Sequence, residues 1–450
     1  MSHSLLLRHA DVLVTMDEQR REIKDGAVLI EDNVITAVGA SRDLPGTADE
    51  VINLQGHVVM PGMVNTHHHM VQSLTRALPA AQDAELFDWL SALYPVWANL
   101  TPPMIRASAH TAMAELILSG CTTSSDHLYI FPNGCRLDDS IEAAHDIGLR
   151  FHATRGAMSV GQSQGGLPPD SVVESEAFIL KDTRRVIEAW HDPARFSMTR
   201  VGVAPCSPFS VSDALMRESA KLARAYSVGL HTHLAENDRD VAYSFEVYGV
   251  SPAHYAEERG FLGPDVWHAH CVKLDEPGVR LFAASGTGIA HCPCSNMRLA
   301  SGIAPVRFMC DAGVPIGLGV DGSASNDSGH MLAEARQAML LQRVGFGPTA
   351  MSARQALELA TRGGARVLGR DDIGQIAPGM AADIIAFDMR GIAHAGAQGD
   401  QVAALLFGTP GNVSLSIING KVVVRQGRLL TMDLEKIITR HNEWAVSLLA

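Results

Sequence analysis

Eight short apolar, β-branched runs recur through the middle of this 450-residue chain, and they limit the possible folds more than any other feature. They cover residues 58–65, 122–126, 149–154, 200–204, 229–232, 266–269, 287–290 and 315–320. Helical patterns separate them, such as residues 104–119, closed by Gly120. Eight β-then-α units predict a TIM-type (β/α)8 barrel. An open doubly wound sheet is the alternative. It would carry a Gly-rich phosphate turn after its first strand, and the chain has none.

The two ends read differently. Residues 5–15, 27–31 and 34–38 are β-rich, with a turn at Asp32-Asn33. Residues 382–387 and 413–418 return to this style. Asn419-Gly420 is a hairpin signal leading into residues 421–424. The expected architecture is α/β: a barrel over residues 61–376, with a small β-sandwich domain built from residues 1–60 and 377–450.

Composition narrows the function. The net charge is −13, from 36 basic and 49 acidic residues, which argues against nucleic acid or an anionic membrane surface as a partner. No apolar run approaches the ~18 residues of a membrane-spanning helix. Seven cysteines, an odd number without paired spacing, suggest reduced thiols and a cytoplasmic location. Cys292-Pro293-Cys294 reads as small residues packed at a strand end rather than as a thiolate metal site.

In such barrels the carboxyl ends of the strands converge on one site. The first run leads into His67-His68-His69. Alternate side chains of an extended strand share a face, so His67 and His69 can grip one ion while His68 points elsewhere. Imidazole nitrogens suit zinc or iron. The fifth run leads into His231-Thr232-His233-Leu234-Ala235-Glu236, the sixth into His268-Ala269-His270-Cys271, and the eighth into Asp321-Gly322. Three neutral imidazoles and one carboxylate satisfy a divalent ion and leave a position for water. A second ion would need a bridging anion, often a carbamylated lysine after the fourth strand. The fourth run instead ends Ala204-Pro205-Cys206-Ser207, so one ion per chain is expected.

Glu236 lies three residues past His233. A carboxylate there can face an activated water without binding the ion, and it suits a general acid/base that carries a proton to a leaving group. Asp321 has two expected roles, ligand and acceptor of the first water proton. His270 is placed to hydrogen-bond the attacking water or the substrate.

These segments resemble the amidohydrolase superfamily in its cyclic-deaminase and chlorohydrolase branch, over nearly the whole length. The resemblance rests on Pro61-Gly62 before His67-x-His69, then His233-Leu234-Ala235-Glu236 and Ala269-His270-Cys271-Val272. It continues through residues 291–296, Gly319-Val320-Asp321-Gly322 and residues 374–383. It implies one zinc, sometimes iron, bound by His67, His69, His233 and Asp321, with Glu236 and His270 catalytic rather than permanent ligands.

Within the branch the chain is similar to 8-oxoguanine deaminases and the hydroxyatrazine ethylaminohydrolase group, on residues 125–129, 154–158, 165–169 and 204–209. Guanine deaminases resemble it too. They place a Gln three residues after the second metal His, where this chain has Gln72. They carry an Arg-Phe pair after the fourth-strand Pro, where this chain has Cys206-Ser207. The resemblance implies deamination of an aminated heterocycle. The first candidate is 8-oxoguanine, giving urate and ammonia; a hydroxyatrazine-type triazine or guanine is the alternative. Gln72, Arg155 and Cys206 are the expected substrate contacts, and a homo-oligomer is the expected assembly. The non-enzyme alternative is a metal-free barrel serving as an assembly protein, which intact residues at all four ligand positions oppose.

Overall fold

The computed structural model describes residues 3–450. Five strands come first: β1 (Ser4–Val14), β2 (Glu22–Glu31), β3 (Val34–Ala40), β4 (Glu50–Asn53) and β5 (His57–Pro61). Eight parallel strands follow: β6 (Met63–Asn65), β7 (Cys121–Leu128), β8 (Arg150–Ala157), β9 (Thr199–Pro205), β10 (Leu230–Leu234), β11 (Val266–His270), β12 (Gly288–His291) and β13 (Ile316–Leu318). These close into a barrel in sequential order, with β13 pairing back onto β6 and β9 onto β10. Each of the eight expected runs contributes one of its strands.

The terminal strands form one hydrogen-bonded sheet rather than two separate ones. Its path runs β17-β16-β15-β14-β5-β1-β2-β3, with β4 also against β1; here β14 is Ile384–Asp388, β15 Leu415–Ile418, β16 Lys421–Arg425 and β17 Arg428–Leu429. The expected sandwich is met in a different sense. A single buried cluster draws Leu7 and Val28 from one flank and Ile384 and Ile417 from the other. Asn419 (φ 49°) and Gly420 (φ 79°) make the two-residue hairpin between β15 and β16, a backbone shape that Asn-Gly adopts readily.

The run at 58–65 is split between the two bodies. Its first half, β5, lies antiparallel to β14; its second half, β6, enters the barrel. The handover falls at Gly62, where a Cβ would sit 2.1 Å from Thr122 Oγ1. No side chain fits that approach. Beside it, Arg150 at the start of β8 holds Asp383 through Nε and Nη2 at 3.1 and 2.9 Å, with both residues buried. This ion pair fastens the barrel to the sheet.

The helices form the outer layer. Helix α1 (Leu86–Trp97) follows the first barrel strand, and α2 (Pro102–Ser119) opens on proline and ends at Gly120 in the left-handed region (φ 102°), as helix ends prefer. The division expected at 376/377 places the last helix, Leu434–Leu449, with the terminal sheet. In the structure it docks on the barrel, where buried His441 bonds the Ser73 carbonyl through Nε2 at 3.0 Å. No helix among the described residues is long and apolar enough to cross a membrane.

Candidate metal centre

The strand ends place His67, His69, His233 and Asp321 together. His69 Nε2 lies 3.1 Å from His233 Nε2 and 3.4 Å from Asp321 Oδ1, and His67 Nε2 lies 3.3 Å from the same oxygen. Ligand atoms about 2.0–2.1 Å from a tetrahedral zinc stand about 3.3 Å apart. His68 is buried between the two histidines but outside the cluster, as the two-residue strand period requires.

Protonation makes these contacts informative. His69 Nδ1 lies 2.7 Å from the His127 carbonyl, and His233 Nδ1 lies 2.6 Å from the Cys206 carbonyl. A carbonyl only accepts, so both Nδ1 atoms carry the proton and both Nε2 atoms present lone pairs. Two lone pairs then face each other at 3.1 Å. Burial holds both imidazoles neutral, pulling His69 below its ordinary pKa and His233 down to about 3. No proton bridges the pair, and His67 Nε2 is buried with no hydrogen-bond partner. A divalent cation resolves all three frustrations at once. The donor set of neutral imidazoles and one carboxylate fits zinc.

A proton-handling pair adjoins the cluster. Glu236 Oε2 is 3.5 Å from His270 Nε2, and Asp321 Oδ2 is 3.8 Å from the same nitrogen. Burial raises the Glu236 carboxyl to about 7. Burial opposes the charged form of His270, but Glu236 and Asp321 outweigh it and raise its pKa. Burial also works against the Asp321 carboxylate, yet the neighbouring His67, His270 and His69 hold it well below the usual range. Asn296 Oδ1 accepts from His270 Nδ1 at 2.9 Å and fixes the ring. His270 (φ 70°) and Asp321 (φ 61°) both occupy the left-handed region, a strained backbone that the surrounding fold must impose.

A small cavity opens over this group, with His69, His233, Glu236, His270 and Asp321 in its wall. Gln72 and Cys206 line it, as expected for substrate contacts. Arg155 does not. Its guanidinium is buried, bidentate to Glu174 at 2.8 and 2.9 Å, 3.1 Å from Asp182, and stacked 4.0 Å over the Phe131 ring. All three guanidinium nitrogens donate to protein, so the expected substrate contact is corrected: the structure places Arg155 in a buried ion-pair network outside the cavity.

Sequence reasoning missed the roof of the cavity. Leu86, Trp89, Leu90 and Tyr94 of α1 all face it, and Trp89 Nε1 is anchored to the Ala324 carbonyl at 2.9 Å, just past Asp321. An apolar helix directly after the first ligand strand was the available signal. Also missed were His127 and His231, which contact the rings of His69, His233 and His67. His231 shares a strand face with His233 by the same period that paired His67 with His69.

A closed parallel barrel with three histidines and an aspartate gathered at its carboxyl mouth defines a (β/α)8 metallohydrolase. The chain belongs to the amidohydrolase family, whose model matches residues 58–423. It is 42% identical to 8-oxoguanine deaminase from Pseudomonas aeruginosa over 94% of this chain and 95% of that protein. It is 38% identical to hydroxydechloroatrazine ethylaminohydrolase from Pseudomonas sp. strain ADP, over 94% of this chain and 91% of that one. Among solved structures, the zinc complex of atrazine chlorohydrolase from Arthrobacter aurescens TC1 superposes with a TM-score of 0.94 at 34% identity, covering 98% of this chain and 100% of that one. The chain is a hydrolytic enzyme of this family, acting on C–N bonds.

Proposed function

We propose that this enzyme is a mononuclear zinc deaminase that hydrolyses 8-oxoguanine to urate and ammonia. The observation that carries the substrate is the 42% identity, spread over nearly the whole of both chains, to an 8-oxoguanine deaminase. The site geometry is consistent with it: polar Gln72 and Cys206 at one wall, an aromatic roof from α1, and the Glu236–His270 pair beside the metal ligands. A cytoplasmic location accords with seven free thiols.

His67, His69, His233 and Asp321 would hold the ion, which when bound lowers the pKa of water and polarises what it touches. The chain's own residues then manage the protons. Asp321 accepts the first proton of the attacking water. Glu236, whose carboxyl burial raises to about 7 so that the protonated form is populated near neutrality, gives its proton to the ring nitrogen beside the reacting carbon. A C–O bond forms and the ring carbon becomes tetrahedral. Glu236 next takes the hydroxyl proton as the carbonyl forms, and Asp321 returns its proton to the amino group. The C–N bond breaks, ammonia leaves, and both carboxyls regain their starting states. His270, whose pKa Glu236 and Asp321 raise against the effect of burial, is placed to steady the developing negative charge on oxygen.

The test is ammonia release by the purified zinc enzyme over purines, pterins and triazines. 8-Oxoguanine should have the highest kcat/KM. A higher value for hydroxyatrazine would transfer the proposal to the triazine substrate, which the apolar roof could also accept. No turnover of any aminated heterocycle, with zinc bound, would overturn it.

A further inference from the structure

We infer that His231 is a positioning residue for the metal centre: it locks His67 in the one tautomer whose Nε2 can bind an ion. Two of the three ligand histidines are oriented by backbone carbonyls, His69 by His127 and His233 by Cys206. His67 is different. Its Nδ1 lies 2.9 Å from Nε2 of His231, a side chain that can either donate or accept.

The ambiguity is removed one bond further away. His231 Nδ1 lies 2.8 Å from the Trp267 carbonyl. That oxygen only accepts, so the single proton of a neutral His231 resides on Nδ1. Its Nε2 must then accept, the proton between the rings belongs to His67 Nδ1, and His67 Nε2 carries a free lone pair. The reversed arrangement would set a bare Nδ1 against the Trp267 oxygen, leaving two acceptors face to face in a buried site, and would put a proton where the metal belongs.

Trp267 closes the circuit. Its ring stacks on His231 with centroids 4.6 Å apart and planes 18° from parallel, and its Nε1 donates to the Thr66 carbonyl at 3.1 Å. Thr66 immediately precedes His67. One residue on β11 therefore orients both the backbone leading into His67 and the ring that controls its proton. Partners of ligand histidines typically contribute 10- to 100-fold in metal affinity.

The inference rests on His67 being a ligand, and the experiment separates the two. Zinc affinity of the full-length chain is measured by competition with a chromophoric chelator for the wild type, His67→Ala, His231→Leu and His231→Gln. Nitrogen-15 NMR of the zinc-free wild type reads the His67 tautomer directly. We expect His231→Leu, which keeps volume and loses the acceptor, to bind zinc about 10- to 100-fold more weakly. His231→Gln, which keeps an acceptor, should recover part of the loss, and His67 should carry its proton on Nδ1. A His231→Leu variant that binds zinc like the wild type, or a His67 proton on Nε2, overturns the inference. If His67→Ala retains its zinc, the ligand reading itself falls. The NMR result decides the matter even if His231→Leu does not fold.

Discussion

The Glu236 carboxylate stands 3.5 Å from Nε2 of His270, and each sets the other's charge. Burial alone would keep Glu236 protonated and His270 neutral; their proximity favours the ionised form of both. Two poised states a proton apart are what a residue needs to give and retrieve a proton within one turnover.

Glu236→Gln should therefore retain zinc and lose roughly 10²-fold or more in kcat. The substitution keeps shape and hydrogen bonding but removes the exchangeable proton. Near-normal turnover by a zinc-loaded variant would rule out the proton-transfer role.

The metal should be single. Elemental analysis of the purified enzyme is expected to give about one tightly held ion per chain, because the strand ends supply one set of four ligands and no bridging lysine. His233→Ala should lose that ion, since its Nε2 faces His69 Nε2 at 3.1 Å. About two ions in the wild type, or full occupancy in the variant, would show the ligand set to be misread.

Specificity is expected to depend on Gln72 and Cys206, which line the cavity. Where guanine deaminases are expected to place a basic side chain, the buried Cys206 thiol offers room and no fixed strong donor. A mismatched polar group in a buried site costs about 1–3 kcal/mol, so kcat/KM for 8-oxoguanine should exceed that for guanine on the order of tenfold to a hundredfold. Side-by-side kinetics decide this, and equal or better turnover of guanine would refute the role given to Cys206.

Arg155 should behave as a structural residue. Arg155→Met removes the counter-charge from Glu174 and Asp182 in a buried setting and should lower folding stability by about 3–5 kcal/mol. The folded variant should keep KM within about twofold, since the side chain does not face the cavity. Chemical denaturation reads the first effect and steady-state kinetics the second. A large KM change with stability intact would return Arg155 to the substrate site.

The barrel and the cluster of His67, His69, His233 and Asp321 at its mouth were legible in the sequence because both rest on short-range periodicity. Strands alternating with helical stretches imply a parallel sheet, and a period of two puts His67 and His69 on one face. Glu236 was legible through its offset from His233. What only the tertiary structure decided depends on partners far apart in the chain. The charge of Arg155 was visible, but its saturation by Glu174 and Asp182, 19 and 27 residues away, was not. The roof from α1 is set by the Trp89 contact to Ala324, 235 residues on. The tautomer of His67 is set by His231, 164 residues on, and by a carbonyl behind it. Local sequence determines which groups are present and which face each takes. Closure of the barrel determines which lone pairs and protons meet, and in a buried site those encounters determine the chemistry.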